Sequence, residues 1–164
     1  MSEEAKGEII QPPNLLKNKV GPPGAGGGVD AATLAKAEMV IADMAEDYLD
    51  WVQADLDALQ GAYDLLANGN DEEKTNALKS IFGVAHDMKG QGGSFNYPLI
   101  TQVCYQLCRF LEHLETPNEK EMEVIQLHIN AVQLIILNQM TGDGGKSGES
   151  LVRGLELVLQ KVGA

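Results

Sequence analysis

The segment around His86 combines a nucleophile, a cation and glycines at helical spacing. On a helical wheel, His86 lies about 80° from Leu78, at the flank of the apolar arc instead of its centre. Lys89 follows one turn later, while Gly83 and Gly90 lie on the same side. A neutral imidazole is a competent nucleophile, and a cation at i+3 can meet the oxygen atoms of a phosphoryl group on the ring. The segment predicts transfer of a phosphoryl group to and from His86, with Lys89 stabilising its charge.

Glycines flank this histidine although they weaken a helix. Three of them fall on the His86 side of the predicted helix, and each costs about 0.8–1 kcal/mol relative to alanine in a helix interior. Because glycine has no side chain, a partner's active site can approach the imidazole closely. We therefore expect a partner to dock on a surface made by Lys79, Gly83, Gly90 and Gly93.

The run His86-Asp87-Met88-Lys89-Gly90, followed by a small residue at Gly93, resembles the histidine-containing phosphotransfer (HPt) domain of multistep phosphorelays. The next predicted helix, within residues 99–112, is similar to the Leu-x-x-x-Cys-x-x-Leu-Glu pattern of that family. Asn96 is a departure, because the family often has a glycine there. Four residues of the next helix fit the pattern loosely: Val103, Leu107, Leu111 and Glu112.

The resemblance implies a phosphorelay intermediate. His86 would accept a phosphoryl group from a receiver-domain aspartate, or from a kinase, and pass it to the aspartate of a response regulator. The partners implied are response-regulator receiver domains and a sensor (hybrid) histidine kinase, and Mg²⁺ would be bound by the partner receiver domain. The sequence has no glycine-rich ATP lid, so we expect no autokinase activity and no cofactor bound by this chain.

Two other classes of function stay open on the residues alone. A helical histidine is more commonly an ordinary core or surface residue, and the protein would then be a helical adaptor or scaffold in which His86 is incidental. An enzyme using His86 as a general base is the third interpretation, which is weakened because no acid, metal set or pocket motif accompanies the histidine.

Composition favours a helical protein with protein partners. The 164 residues are 44% hydrophobic and only 5% aromatic, which suffices for one helical core. The formal net charge of −12 argues against nucleic acid or an anionic membrane surface as a partner. Residues 74–102 differ, because three lysines stand there against Asp87 alone. This less acidic segment suits a partner with a carboxylate-rich active site, and we expect the protein itself to be a monomer.

The sequence also predicts a cytoplasmic location. No apolar run approaches the length of a membrane span, and the acidic N-terminus is not a secretory signal. Cys104 and Cys108 lie four residues apart on one predicted helix face, which makes a structural disulfide between them improbable and favours a reducing compartment. They do not match a zinc motif with His113 or His128, so we expect no metal site.

Proline and glycine content divides the chain into a flexible tail, residues 1–29, and a single helical HPt-like domain, residues 30–164. Asp30 is placed to cap an N-terminal helix with Leu34, Ile41, Met44 and Tyr48 turned inward. Whether residues 30–67 form one helix or two is open. Short loops predict an all-α, antiparallel, up-down four-helix bundle with an additional N-terminal helix and a C-terminal helix near residues 147–162. The four bundle helices are predicted near residues 51–67, 72–95, 98–115 and 118–141.

Overall fold

The computed structural model describes residues 30–163, except for the side chains of residues 41–43, 45 and 46. The predicted tail, residues 1–29, lies outside the described residues, so its flexibility stays a prediction, as do the domain limits. The part of the chain that is described contains helices and no strand, which confirms the all-α prediction. Its helices are α1 (Ala31–Asn68), α2 (Asp71–Gly92), α3 (Pro98–Leu111), α4 (Glu119–Leu137) and α5 (Gly145–Val162).

The first helix, α1, is a single element, which decides between the one-helix and two-helix alternatives. Its start is capped as predicted, because the backbone N–H of Thr33 donates to Oδ1 of Asp30 at 2.6 Å. Backbone contacts divide the chain into residues 1–40 and residues 41–164. In the larger unit, an apolar stripe of α1 enters the core through Tyr48, Val52, Leu56, Leu59, Ala62 and Leu66.

The prediction that Leu34 and Met44 point inward is wrong. Both side chains are exposed, at 54% and 39%, and the side chain of Ile41 lies outside the described residues. Periodicity identifies the apolar face of a helix. It does not show which part of that face packs against another helix.

Two helices begin at capping boxes, and each box fixes the residue at which its helix starts. At α2, the N–H of Glu73 donates to Oδ1 of Asn70 at 3.0 Å, and the N–H of Asn70 donates to Oε2 of Glu73 at 2.8 Å. At α4, Asn118 and Glu121 exchange the same pair of bonds at 3.1 and 2.7 Å. Both boxes are recognisable in the sequence as an asparagine followed three residues later by a glutamate.

The histidine helix α2 ends at Gly92, before the predicted end at Phe95. The turn that follows is closed by a hydrogen bond from the N–H of Tyr97 to the carbonyl of Gly92 at 2.8 Å. Asn96 has a φ of 64°, the left-handed conformation that glycine favours and that asparagine tolerates better than most residues. Its departure from the family pattern is therefore compatible with the turn. Phe95 instead stacks on Tyr48 of α1, with ring centroids 4.4 Å apart.

The core lies between α1, α2, α3 and α4, and α5 packs on α3 and α4. This agrees with a four-helix bundle carrying an additional C-terminal helix. The residues α3 buries follow a helical repeat along its length: Leu99, Ile100, Val103, Cys104, Leu107, Cys108, Phe110 and Leu111. None of the helices that the structure describes has the length and hydropathy needed to cross a membrane.

Candidate functional site

His86 lies on the outer side of α2, six residues before the helix ends. Ile81, Ala85 and Met88 are the buried face that anchors this part of the helix, with at most 1% exposure each. The side chain of His86 is 57% exposed. The structure therefore places the imidazole where another protein can reach it, while its helix is held rigidly from the opposite side.

Phe82 and Asp87 lie beside the His86 ring. Phe82, one turn earlier on α2, lies nearly parallel to it with ring centroids 6.1 Å apart and an interplanar angle of 26°. The carboxylate of Asp87 approaches from the next position, with Oδ1 3.8 Å from Nδ1 of His86. That separation is too long for a hydrogen bond but close enough for electrostatic attraction to a protonated ring. The contact places the acid on the Nδ1 side, so Nε2 is the nitrogen away from the carboxylate.

A second carboxyl group near the site comes from α1 and was missed by the sequence interpretation. Burial raises the pKa of Asp55, and the negative charge of Asp87 raises it further. Asp55 lies next to the buried stripe of α1, between Val52 and Leu56. An acidic residue at the edge of an otherwise apolar helix face was the available signal.

Lys89 is half-buried at the edge of the site, one turn after His86. Its backbone carbonyl accepts a hydrogen bond from the hydroxyl of Thr101 on α3 at 3.0 Å. Neither Lys89 nor Lys79 forms an ion pair with a carboxylate in the part of the chain that the structure describes. Lys79 is exposed two turns before His86. The positive charge of both ammonium groups is thus available to an anionic partner.

The predicted glycines differ in their surroundings. Gly83 and Gly90 are exposed, and a Cβ atom built on either meets no heavy atom within 4 Å beyond its own helix. Gly93 lies after the end of α2, which corrects its predicted place inside the helix, and its Cβ would be 3.9 Å from Oγ1 of Thr101. The structure brings Gly83 and Gly90 onto the open side of α2 with His86, whereas Gly93 belongs to the turn.

Gly92 was not singled out by the sequence interpretation, yet it is the most closely packed glycine of α2. A Cβ there would lie 2.8 Å from the carbonyl oxygen of Tyr97 and 2.9 Å from Oγ1 of Thr101. No side chain fits in that space, so Gly92 allows the backbones of α2 and α3 to approach each other. The same contact brings Thr101 to the carbonyl of Lys89 and thereby connects α3 to the site.

The other histidines and the cysteines lie apart from this arrangement. His128 is fully buried in α4, with Nδ1 2.8 Å from the carbonyl of Val124, and burial lowers its pKa despite that hydrogen bond. Cys104 and Cys108 are buried and unpaired, and burial raises the pKa of both thiols. His113 is exposed. Among the side chains that the structure describes, no three of the metal-binding types lie together in a way that would hold an ion.

Comparison with known families shows the family of the chain. The model of the Hpt domain family matches residues 43–134, which is more than half of the chain. The chain belongs to the Hpt domain family. No curated protein and no solved structure matches it.

Hpt domains carry phosphoryl groups on histidine in two-component signalling, where they interact with receiver domains and histidine kinases. The matched segment includes α2 and α3, with His86 and Lys89, and it ends within α4. The last helix, α5, lies beyond the match. The match therefore covers α2 and α3 completely, α1 and α4 in part, and none of α5.

Proposed function

We propose that this protein is the histidine carrier of a multistep phosphorelay, accepting a phosphoryl group on His86 from one receiver aspartate and passing it to another. The observation that supports this proposal most is the exposed imidazole of His86 beside open space at Gly83 and Gly90. A helix that keeps two unpacked glycines beside a histidine forgoes stability, and access by a partner is the gain. An adaptor would have no need of that open space.

The transfer step requires only groups that the two proteins supply. Nε2 of His86 attacks the phosphorus atom of an aspartyl phosphate, so an N–P bond forms as the P–O bond breaks and the aspartate leaves as a carboxylate. The reverse exchange loads the second receiver. Asp87, on the Nδ1 side, favours the protonated nitrogen there and leaves the lone pair on Nε2. The transferring phosphoryl group carries negative charge throughout, which is why a nearby cation matters.

The roles of the other site residues follow from their positions. The ammonium group of Lys89 stabilises the phosphoryl oxygens, while Gly83 and Gly90 admit the partner's active site and Lys79 attracts its acidic surface. Gly93 shapes the turn beside them. Mg²⁺ belongs to the receiver and supplies further charge stabilisation at the aspartate. We propose that the chain works as a cytoplasmic monomer and does not phosphorylate itself from ATP.

The experiment that tests the proposal is phosphate acceptance by the full chain. A histidine kinase and its receiver domain are incubated with labelled ATP, and the chain is added. We expect label that is lost in acid and retained in alkali, as a phosphohistidine requires. The chain incubated with labelled ATP alone is expected to stay unlabelled.

His86→Gln is the decisive variant, and His113→Gln is its matched control because His113 is also exposed. We expect the first to abolish labelling and the second to preserve it. Label that persists in His86→Gln would contradict the assignment of the carrier. Binding of the receiver without any labelling of the wild type would favour an adaptor instead.

A further inference from the structure

The helix α5 is held firmly against α3 although it lies outside the family match. Gly144 and Gly148 allow this contact, because a Cβ on either would lie 2.5 Å and 3.0 Å, respectively, from Cδ1 of Leu99. Leu155, two turns further along, is buried at 2% exposure. The position of α5 is thus specified by close packing at its first turns and by an apolar anchor in its middle.

This placement creates a groove beside Lys89, which lies one turn from His86. Its walls come from α2, α3 and α5, and its floor is mainly apolar. Lys89 borders it at the α2 side and Glu156 at the α5 side, with Tyr105 and Val152 between them. Tyr105 is 56% exposed, so an aromatic side chain of α3 is accessible at this groove. Lys89 therefore borders both the groove and the proposed site.

A protein that docks at His86 covers a large area of the surface around this residue. A specific interface covers about 800 Å² on each protein, which corresponds to a disc about 16 Å in radius. Lys89 is only about 4.5 Å along the helix axis from His86, at a rise of 1.5 Å per residue. A receiver domain whose interface is centred on His86 would therefore also cover Lys89 and the edge of the groove that begins there.

We propose that the groove between α3 and α5 is a receiver-recognition site, in which Tyr105 and Val152 take up an apolar side chain of the docked receiver and Glu156 pairs with a basic one. This inference rests on the proposed function and adds a determinant of which receiver is chosen. The local charge favours such an occupant, because Lys89 is committed to the phosphoryl group and leaves Glu156 as the free charge across the groove. A second copy of this chain is a poorer occupant, since its net charge of −12 opposes self-association.

The test measures transfer from receiver domains that have been phosphorylated with acetyl phosphate, using a panel of receivers from the same genome. For the receiver with the highest kcat/KM on the wild type, we expect Glu156→Lys and Tyr105→Ala to raise KM by about three- to tenfold with kcat unchanged. The Glu156→Lys effect should shrink as salt is added, because it is electrostatic.

The matched control for the charge reversal is Glu123→Lys, which makes the same charge change at an exposed position of α4 away from the groove. For the loss of an apolar side chain, the control is Leu157→Ala on α5, which is 50% exposed and does not border the groove. Both controls should keep KM within about twofold. Groove variants that behave like their controls would overturn the proposal.

A second pair of variants moves α5 without touching the groove. Gly148→Ala introduces a Cβ into the contact with Leu99, whereas Gly154→Ala adds one to open space on the same helix. We expect faster amide hydrogen exchange in α5 and a raised KM for Gly148→Ala only. An unchanged KM for Gly148→Ala would contradict the proposal.

Failure of this proposal is distinct from failure of the proposed function. If His86 is labelled in every groove variant with a wild-type KM, the carrier function stands and the groove has no part in recognition. If no receiver in the panel labels the wild type, the carrier function fails and the recognition site fails with it.

Discussion

The same residue types have opposite surroundings in two regions of this protein, the outer side of α2 and the helix contacts inside the bundle. On the outer side, His86 is 57% exposed, and Gly83 and Gly90 face open space. Inside, His128 is fully buried against a backbone carbonyl, and Gly92 leaves no room for a methyl group. The residue type alone therefore does not show whether a histidine or glycine in a helix is accessible or packed. That depends on the residues around it.

Packed and exposed glycines also have opposite effects on the stability of the fold. Glycine at a close helix contact stabilises the fold, because a larger residue would force the backbones apart. Glycine facing solvent in a helix destabilises the fold, so stability does not account for Gly83 and Gly90. Gly90 and Gly92 are only two residues apart on α2 and fall on opposite sides of this distinction. Four experiments test the comparison.

The largest effect is expected when leucine replaces the packed glycine. In Gly92→Leu, the new Cβ would clash with the carbonyl of Tyr97 and with Thr101. Separation of α2 from α3 should lower the free energy of unfolding by about 3 kcal/mol, at the upper end of overpacking effects. Urea denaturation measures this. A Gly92→Leu variant as stable as the wild type would break the distinction between packed and open glycines.

The buried histidine should make stability depend on pH. Burial lowers the pKa of His128 in the native state, so the unfolded chain takes up a proton at a higher pH than the native chain does. Stability should therefore fall as pH decreases below about 6.5, by at most about 1.4 kcal/mol per pH unit from this residue. Denaturation between pH 7 and pH 5 should show a shallower loss in His128→Leu.

The matched control for that experiment is His113→Gln, because His113 is exposed. Its pH dependence should follow the wild type. Equal slopes for all three proteins would mean that His128 accepts its proton as readily in the native state as in the unfolded chain.

Leucine at the open glycine should impair transfer without unfolding the protein. In Gly90→Leu, helix content should stay equal or rise, since leucine is the better helix former. The side chain would obstruct the partner one turn from the imidazole, and we expect phosphotransfer about tenfold slower, equal to about 1.4 kcal/mol of activation free energy. Gly61→Leu on α1 is the control, because its Cβ also meets open space. Transfer at the wild-type rate would remove the argument for access.

The smallest effect is expected from charge at the site. Lys89→Ala should slow transfer or shorten the lifetime of the phosphohistidine a few-fold, about 1 kcal/mol or less, and Lys89→Glu should do so more strongly because it adds repulsion. Lys79→Ala, two turns from the histidine, should change the rate less than either. The rates of phosphohistidine formation and decay, measured at the same salt concentration, show the order of the three variants. Indistinguishable curves for all variants would remove Lys89 from the site.

Much of the architecture was predictable because it depends on local pattern. Two examples are the capping box of Asn118 and Glu121 and the cap at Asp30. Each consists of hydrogen bonds between residues three positions apart. The end of α2 was placed too late, since Phe95 continues the apolar rhythm but leaves the helix to stack on Tyr48. That stacking depends on a residue almost fifty positions away, which periodicity cannot report.

The candidate site was predictable to a similar degree. His86, Lys89 and the glycines near them are recognisable by spacing within one helix. Asp55 was not, because it lies on α1, and its raised pKa arises from burial and from the charge of Asp87 on α2. Thr101 was missed for the same reason, since its hydrogen bond to the carbonyl of Lys89 requires the α2–α3 contact.

The sequence by itself determined the helices, their caps, and a histidine with a lysine and glycines at helical spacing, because these are properties of residues within about two turns of one another. Only the tertiary structure decided which glycine is open and which is packed, since that depends on whether another helix fills the space beside it. It also decided that α5 lies along α3 and forms a groove with Lys89, through contacts of Gly144 and Gly148 with Leu99. Local pattern specifies the elements, whereas the surfaces between them arise from packing.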